Sequence, residues 1–182
     1  MFDSLRAILS HTPLWVFALF AVLVFLGIRR MRPRPLKLGQ MLIGPLILIT
    51  ITLPSVIQRA LHPPAGAEDL TVWMPAVWAL ACAAGGFIGG RVVHKLGVTR
   101  IPGSDKLMLE GSPWPLAIYV FSFSAKYFFA VSFAREPALL RDHGYLLAEA
   151  GLGGLLAGLM LGRTLLLVLK LRAARNGGAP LI

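Results

Sequence analysis

Five long apolar runs, at residues 13–28, 38–57, 70–90, 113–134 and 145–169, constrain this chain more than any other feature. A helix that crosses a bilayer needs about 20 mainly apolar residues. Inside lipid each backbone N–H and C=O must find its partner within the protein, so such runs fold as helices. The expected fold class is all-α: a polytopic membrane helical bundle of five transmembrane helices, in one unit covering residues 1–182. Of the 182 residues, 57% are hydrophobic and only 14% are charged, against about 25% charged in a soluble domain.

The formal net charge is +10. Its distribution argues against a nucleic-acid partner, because the cations cluster at the ends of apolar runs, as topology signals do. Arg29, Arg30, Arg32, Arg34 and Lys37 follow the first run. Arg91, Lys95, Arg100 and Lys106 follow the third, and Lys170, Arg172 and Arg175 follow the fifth. Arg6, Arg59, Arg135 and Arg141 fall on the other side. The positive-inside rule then places the N-terminus outside and the C-terminus in the cytoplasm. The first run has more cations after it than before it and no small-residue cleavage site, so it reads as a retained span, not a signal peptide.

Local signals refine these runs. Thr12 before Pro13 and Ser112 before Pro113 read as helix starts, with the serine or threonine as N-cap. Pro45 predicts a kink in the second helix, not its end. The segment "GVTRIPGSDKLMLE" has Pro102-Gly103 at the centre of a type II turn. It reads as a small cytoplasmic β-hairpin between helices three and four, or as a plain loop. The outer loop "QRALHPPAGAED" reads as irregular.

Small residues recur at four-residue spacing: Gly85 with Gly89, Gly86 with Gly90, and Gly154, Gly158 and Gly162. Such grooves let helix backbones approach closely. They serve either packing of helices three and five within one bundle, the preferred reading, or a homodimer. Both helices carry a GxxxGR sequence ending at Arg91 and Arg163, which fits either a duplicated helical hairpin or chance.

Lys126 stands inside the fourth run, roughly 20 Å of helix from Pro113 and roughly 14 Å from Arg135. Tyr119 and Ser122, seven and four residues earlier, share its face. An ionisable residue in a span costs about 2.5 kcal/mol or more and is a functional candidate by default. Glu149, near the outer end of the fifth run, is the natural partner if helices four and five form an antiparallel hairpin. Three readings stand side by side: a structural Lys126–Glu149 pair, which is preferred; a lysine snorkelling to the interface; and a ligand, ion or proton site. Arg163 is the second intramembrane cation and is expected to snorkel inward, with Arg91 as its counterpart on helix three. Asp105 or Glu110 are candidates to neutralise either.

No metal site is expected. His11, His62 and His143 come from three outer segments without metal-ligand spacing, and His94 lies on the other side. Cys82 is alone, which excludes disulfide or CxxC chemistry within the chain. No hydrolase, protease or nucleotide-binding motif is present, so neither a cofactor nor an enzymatic role is expected.

The stretches "HTPLWVFALFAVLVFLGIRRMRPRPLKLGQMLIGP" and "GSPWPLAIYVFSFSAKYFFAVSFA", with "GLMLGR" near the end, resemble an uncharacterised family of small bacterial inner-membrane proteins. Lys126-Tyr127 belongs to the pattern that carries this resemblance. The layout and the basic "RPRPLKL" segment are also similar to CcdC-like membrane proteins. Neither resemblance implies a reaction. Together with the residues they imply a multi-pass protein of the bacterial inner membrane. Its partners are then the lipid bilayer, anionic headgroups at the basic cytoplasmic face, and a second copy or another membrane protein. The expected role is that of a non-enzymatic accessory or interaction protein. The alternative is a small transporter or permeation unit with an anion-binding polar site around Lys126.

Overall fold

The computed structural model describes residues 13–29, 31, 34–36, 38–63, 68–93, 98–100, 107–109 and 113–175. The expectations for Thr12, Ser112, His11, His94, Asp105, Glu110 and the Pro102-Gly103 turn lie outside these residues. The described chain is helical apart from three short strands. In order they are α1 (Leu14–Arg29), β1 (Arg34–Leu36), α2 (Leu38–Leu61), α3 (Leu70–Val93), β2 (Val98–Arg100), β3 (Leu107–Leu109), α4 (Trp114–Arg135), a 3-10 turn (Pro137–Arg141) and α5 (His143–Arg175).

Helices α2 to α5 are each long and apolar enough to cross a membrane. Helix α1 has 16 residues, or roughly 24 Å at 1.5 Å per residue, which is short of a typical hydrocarbon core of about 30 Å.

Side-chain contacts fix the helix directions. Gly27 of α1 packs on Leu116 of α4, and the Phe20 and Phe123 rings meet at a tilt, 4.8 Å between centroids, so α1 and α4 are antiparallel. Phe129 and Phe133 of α4 meet Tyr145 of α5 edge-on at 5.1 and 5.5 Å, while Lys126 reaches Glu149. Helices α4 and α5 are therefore antiparallel too. Thr52 faces Gly153 and Arg59 faces Glu149, which makes α2 antiparallel to α5. Helix α3 runs parallel to α5: Gly154, Gly158 and Gly162 meet the carbonyls of Trp78, Cys82 and Gly86 in turn. Direction thus alternates from each helix to the next.

The α3–α5 contact explains the glycines. A Cβ on Gly158 would lie 2.0 Å from the Cys82 carbonyl oxygen, and one on Gly162 would lie 1.9 Å from that of Gly86. Only glycine admits this approach, in which backbone dispersion and Cα–H···O contacts replace side-chain packing. Gly85 and Gly89 reciprocate against Leu155 and Leu159, and Gly86 lies beside Gly158. Gly90 departs from the expected set. A Cβ there meets nothing within 4 Å, so Gly90 takes no part in the close α3–α5 contact that Gly89 makes.

Several boundaries differ from expectation. Helix α2 runs through Pro45 and Pro54 without a break and continues to Leu61, past the expected end at 57, so Arg59 is a helical residue and not a loop cation. Helix α4 has Pro113 at its N-cap position, without a side-chain hydrogen bond. Helix α5 has 33 residues, extending beyond the expected 145–169 at both ends. Its first turn is closed by Asp142, whose Oδ1 accepts the Tyr145 N–H at 2.9 Å.

At the end opposite the α4–α5 turn, β3 pairs antiparallel with β2 on one side and with β1 on the other. Two strands of this length are marginal alone, and β1 adds a third. Pro35 lacks an N–H donor, which suits the edge position of β1. Two apolar clusters fill the bundle. Leu23, Leu48, Ile118, Tyr119, Leu156, Ala157 and Met160 form one. Val56, Leu70, Met74, Leu146 and Ala150 form the other, nearer the α4–α5 turn.

Candidate functional site: an ionic cluster joining three helices

Three ionisable side chains from three helices converge inside the half of the bundle next to the α4–α5 turn. Glu149 lies six residues into α5, roughly 9 Å along the helix. It is buried, with 7% of its surface exposed. Lys126 Nζ of α4 donates to Glu149 Oε1 at 2.8 Å. Arg59, in the last turn of α2, donates to the other oxygen, Oε2. One carboxylate therefore serves two cations, each on a different helix.

The rest of the cluster orients these groups. Lys126 Nζ also donates to Ser55 Oγ at 2.8 Å. Ser55 in turn donates to the Thr52 carbonyl at 2.9 Å. The chain of donors runs consistently from ammonium to hydroxyl to backbone, so each hydrogen has an acceptor. The Arg59 guanidinium lies 4.4 Å from the centre of the Phe133 ring, a cation–π contact that covers its flat face. Phe133 is held by Tyr145 at 5.5 Å. Further out, exposed His143 Nε2 and Asp69 Oδ1 meet at 3.0 Å, tying the start of α5 to the turn before α3.

Energetics assign the cluster a structural weight. An intramembrane cation costs about 2.5–3.5 kcal/mol on insertion scales. Pairing offsets that cost, and removing one partner of a buried pair costs about 3–5 kcal/mol because a charge is left behind. Glu149 has the most at stake, since its side chain is 8% exposed while those of Arg59 and Lys126 are 21% and 22% exposed.

The structure brings Lys126 and Glu149 together and leaves the other expected residues elsewhere. Tyr119 is 1% exposed, in the apolar core with Leu48 and Met160. Ser122 is buried beside it, and its Oγ has no hydrogen-bond partner among the described residues. Arg91 is exposed on α3, its guanidinium 3.9 Å from the centre of the Phe87 ring. Arg163 is buried, at 6% exposure, next to buried Thr164. The sequence reading missed Arg59 and Ser55. Their four-residue spacing just after Pro54 was the available signal, because it puts both on one helical face if α2 continues.

A family model, that of a family of unknown function, matches residues 3–178. No curated protein and no solved structure matches the chain.

Proposed function

We propose, for a chain that belongs to the family of unknown function DUF6622, a role as a multi-pass membrane protein that works by interaction and not by catalysis. The observation that carries this reading is the sharing of Glu149 between Arg59 and Lys126. Arg59, Lys126 and Glu149 are engaged with one another and join α2, α4 and α5. On the inner side of the cluster, Leu48, Ile118, Leu156, Ala157 and Met160 pack as an apolar layer. That arrangement favours a closed bundle over a permeation path through Lys126.

In this reading all five helices cross the membrane, and α1 does so as a short span with Arg29 at its edge. The sheet end, which carries most of the cations, faces the cytoplasm and anionic headgroups. The site of action is the bacterial inner membrane, as the sequence resemblance implies. The partner face is the outer side of α3, where Trp73, Leu80 and Phe87 are 56%, 72% and 63% exposed and recur every seven residues along one face.

A photo-reactive residue at Leu80 tests this in intact membranes. The reading predicts one discrete protein adduct, either twice the chain mass or a heterologous partner. Adducts to lipid alone would contradict it. In reconstituted vesicles, anion flux equal to that of empty vesicles is expected. Flux abolished by Lys126→Met would instead establish the transporter alternative.

A further inference from the structure

Glu149 gives one oxygen to Lys126 and the other to Arg59, so these three groups keep one net positive charge. Because both cations bond a single carboxylate, their charged ends lie side by side and share one space. That space is reached from outside the bundle. The Arg59 and Lys126 side chains are 21% and 22% exposed, whereas that of Glu149 is 8% exposed. What the cluster presents to its surroundings is therefore its cations.

The backbone accounts for the opening. Helices α2 and α4 each pack on α5 and approach one another less closely. One turn outward of Lys126, α4 carries Ala130, which is small and exposed. On α2, Ser55, Gln58 and Arg59 share one helical face. His62 continues that face, its N–H bonded to the Gln58 carbonyl at 3.0 Å, and both Gln58 and His62 are exposed. Donors also remain. Arginine has five N–H groups and lysine three. Among the described residues Arg59 spends one, on Glu149, and Lys126 spends two, on Glu149 and Ser55. Phe133 covers a flat face of the guanidinium, which leaves its edge for a second acceptor.

Depth selects the acceptor. Arg59 is two residues from the end of α2 at Leu61, roughly 3 Å along the axis. In a spanning helix that is the headgroup level, where phospholipid phosphates are held permanently. We propose that Arg59, with Lys126, binds the phosphodiester of one anionic phospholipid in the leaflet at the α4–α5 end. A phosphodiester is singly negative and balances the cluster, and its paired oxygens suit the edge of a guanidinium. The site is at the end opposite the basic sheet. It rests on the chain spanning a membrane, and it does not depend on the interaction role above.

The test titrates the purified full chain in detergent with phosphatidylglycerol or phosphatidylcholine and counts bound lipid by native mass spectrometry. Wild type binds one phosphatidylglycerol about tenfold more tightly than phosphatidylcholine, the worth of one to two cations at a membrane surface. Arg59→Gln lowers that affinity about tenfold, the loss of a charge-assisted hydrogen bond. Arg135→Gln, at an exposed cation of the same end, leaves it unchanged. Glu149→Gln separates binding from stability: without the acid, affinity rises while the unfolding midpoint falls, which a purely structural cluster does not produce. Equal binding of the two lipids by wild type needs no variant and overturns the proposal. So does an equal effect of Arg59→Gln and Arg135→Gln, or weaker binding by Glu149→Gln. Glycerophosphoglycerol, the same headgroup without acyl chains, is expected not to compete at the lipid's own concentration. Full competition would give the site to a free phosphodiester and overturn the lipid assignment.

Discussion

Lys126 and Glu149 stand at the same level of two antiparallel helices and are joined by a 2.8 Å hydrogen bond through the interior of the bundle. Each answers the desolvation cost of the other. Lysine also has a second acceptor in Ser55 at 2.8 Å, so its ammonium is fixed in direction as well as neutralised.

Arg59 adds the second cation, and its contribution is separable. Arg59→Leu removes a hydrogen bond to Glu149 and the stacking on Phe133, but leaves the carboxylate paired with Lys126. Because Arg59 is partly exposed, solvent screening reduces the loss. A destabilisation of about 1–2 kcal/mol is expected, less than breaking a fully buried pair. Arg59→Lys keeps the charge and loses the flat face, so it recovers only part of the stability. Thermal unfolding in detergent reads both, and an unchanged midpoint for Arg59→Leu would contradict the assignment.

The glycines of α3 and α5 divide into two classes. Gly158→Val places side-chain atoms against the Cys82 carbonyl, 2.0 Å from the Cβ position. No rotamer relieves a clash with backbone, so the helices must separate. We expect a loss of more than about 3 kcal/mol, beyond ordinary overpacking, and little folded protein. Gly90→Ala meets nothing within 4 Å and gains helix propensity of up to about 1 kcal/mol. Comparing folded yield and unfolding midpoint for the two variants checks the pairing of α3 with α5.

The cap of α5 makes a smaller prediction. Asp142 Oδ1 accepts the Tyr145 N–H at 2.9 Å and lies at the positive end of the helix. Asp142→Ala should cost about 1 kcal/mol, and Asp142→Asn, which keeps the acceptor, much less. Equal losses for both would place the effect in charge and not in the cap.

Helix alternation predicts that the two ends of the bundle lie on opposite sides of the membrane. With Cys82 replaced by Ala, an impermeant thiol reagent applied to intact cells should label Glu136→Cys, beside the 3-10 turn. Met31→Cys, at the sheet end, should react only after lysis. Both parent residues are exposed in the fold. Labelling of both positions in intact cells would overturn the five-span arrangement.

The helical runs were legible because lipid leaves the backbone one local solution, and apolar length reports it directly. Lys126 and Glu149 were legible as a pair because each is an ionisable residue stranded in an apolar run. Arg59 was not, because a cation near a proline and a predicted helix end looks like a loop residue. Only the continuation of α2 to Leu61 turns it inward. Strand β1 was hidden for a different reason: three residues including a proline have no strand pattern, and pairing with β3 creates it. The open space at Gly90 was beyond reach too, since spacing identifies a small-residue groove but not which part of it the neighbouring helix occupies.

A double-mutant cycle on Lys126→Met and Glu149→Gln tests the central claim most directly, with stability measured by reversible unfolding in mixed micelles. The account predicts that Glu149→Gln alone costs about 3–5 kcal/mol, because two cations lose their carboxylate. The double variant should lose less than the sum of the singles, with a coupling of about 1–3 kcal/mol. Losses that add to within about 0.5 kcal/mol would mean that Lys126 and Glu149 do not hold the bundle together.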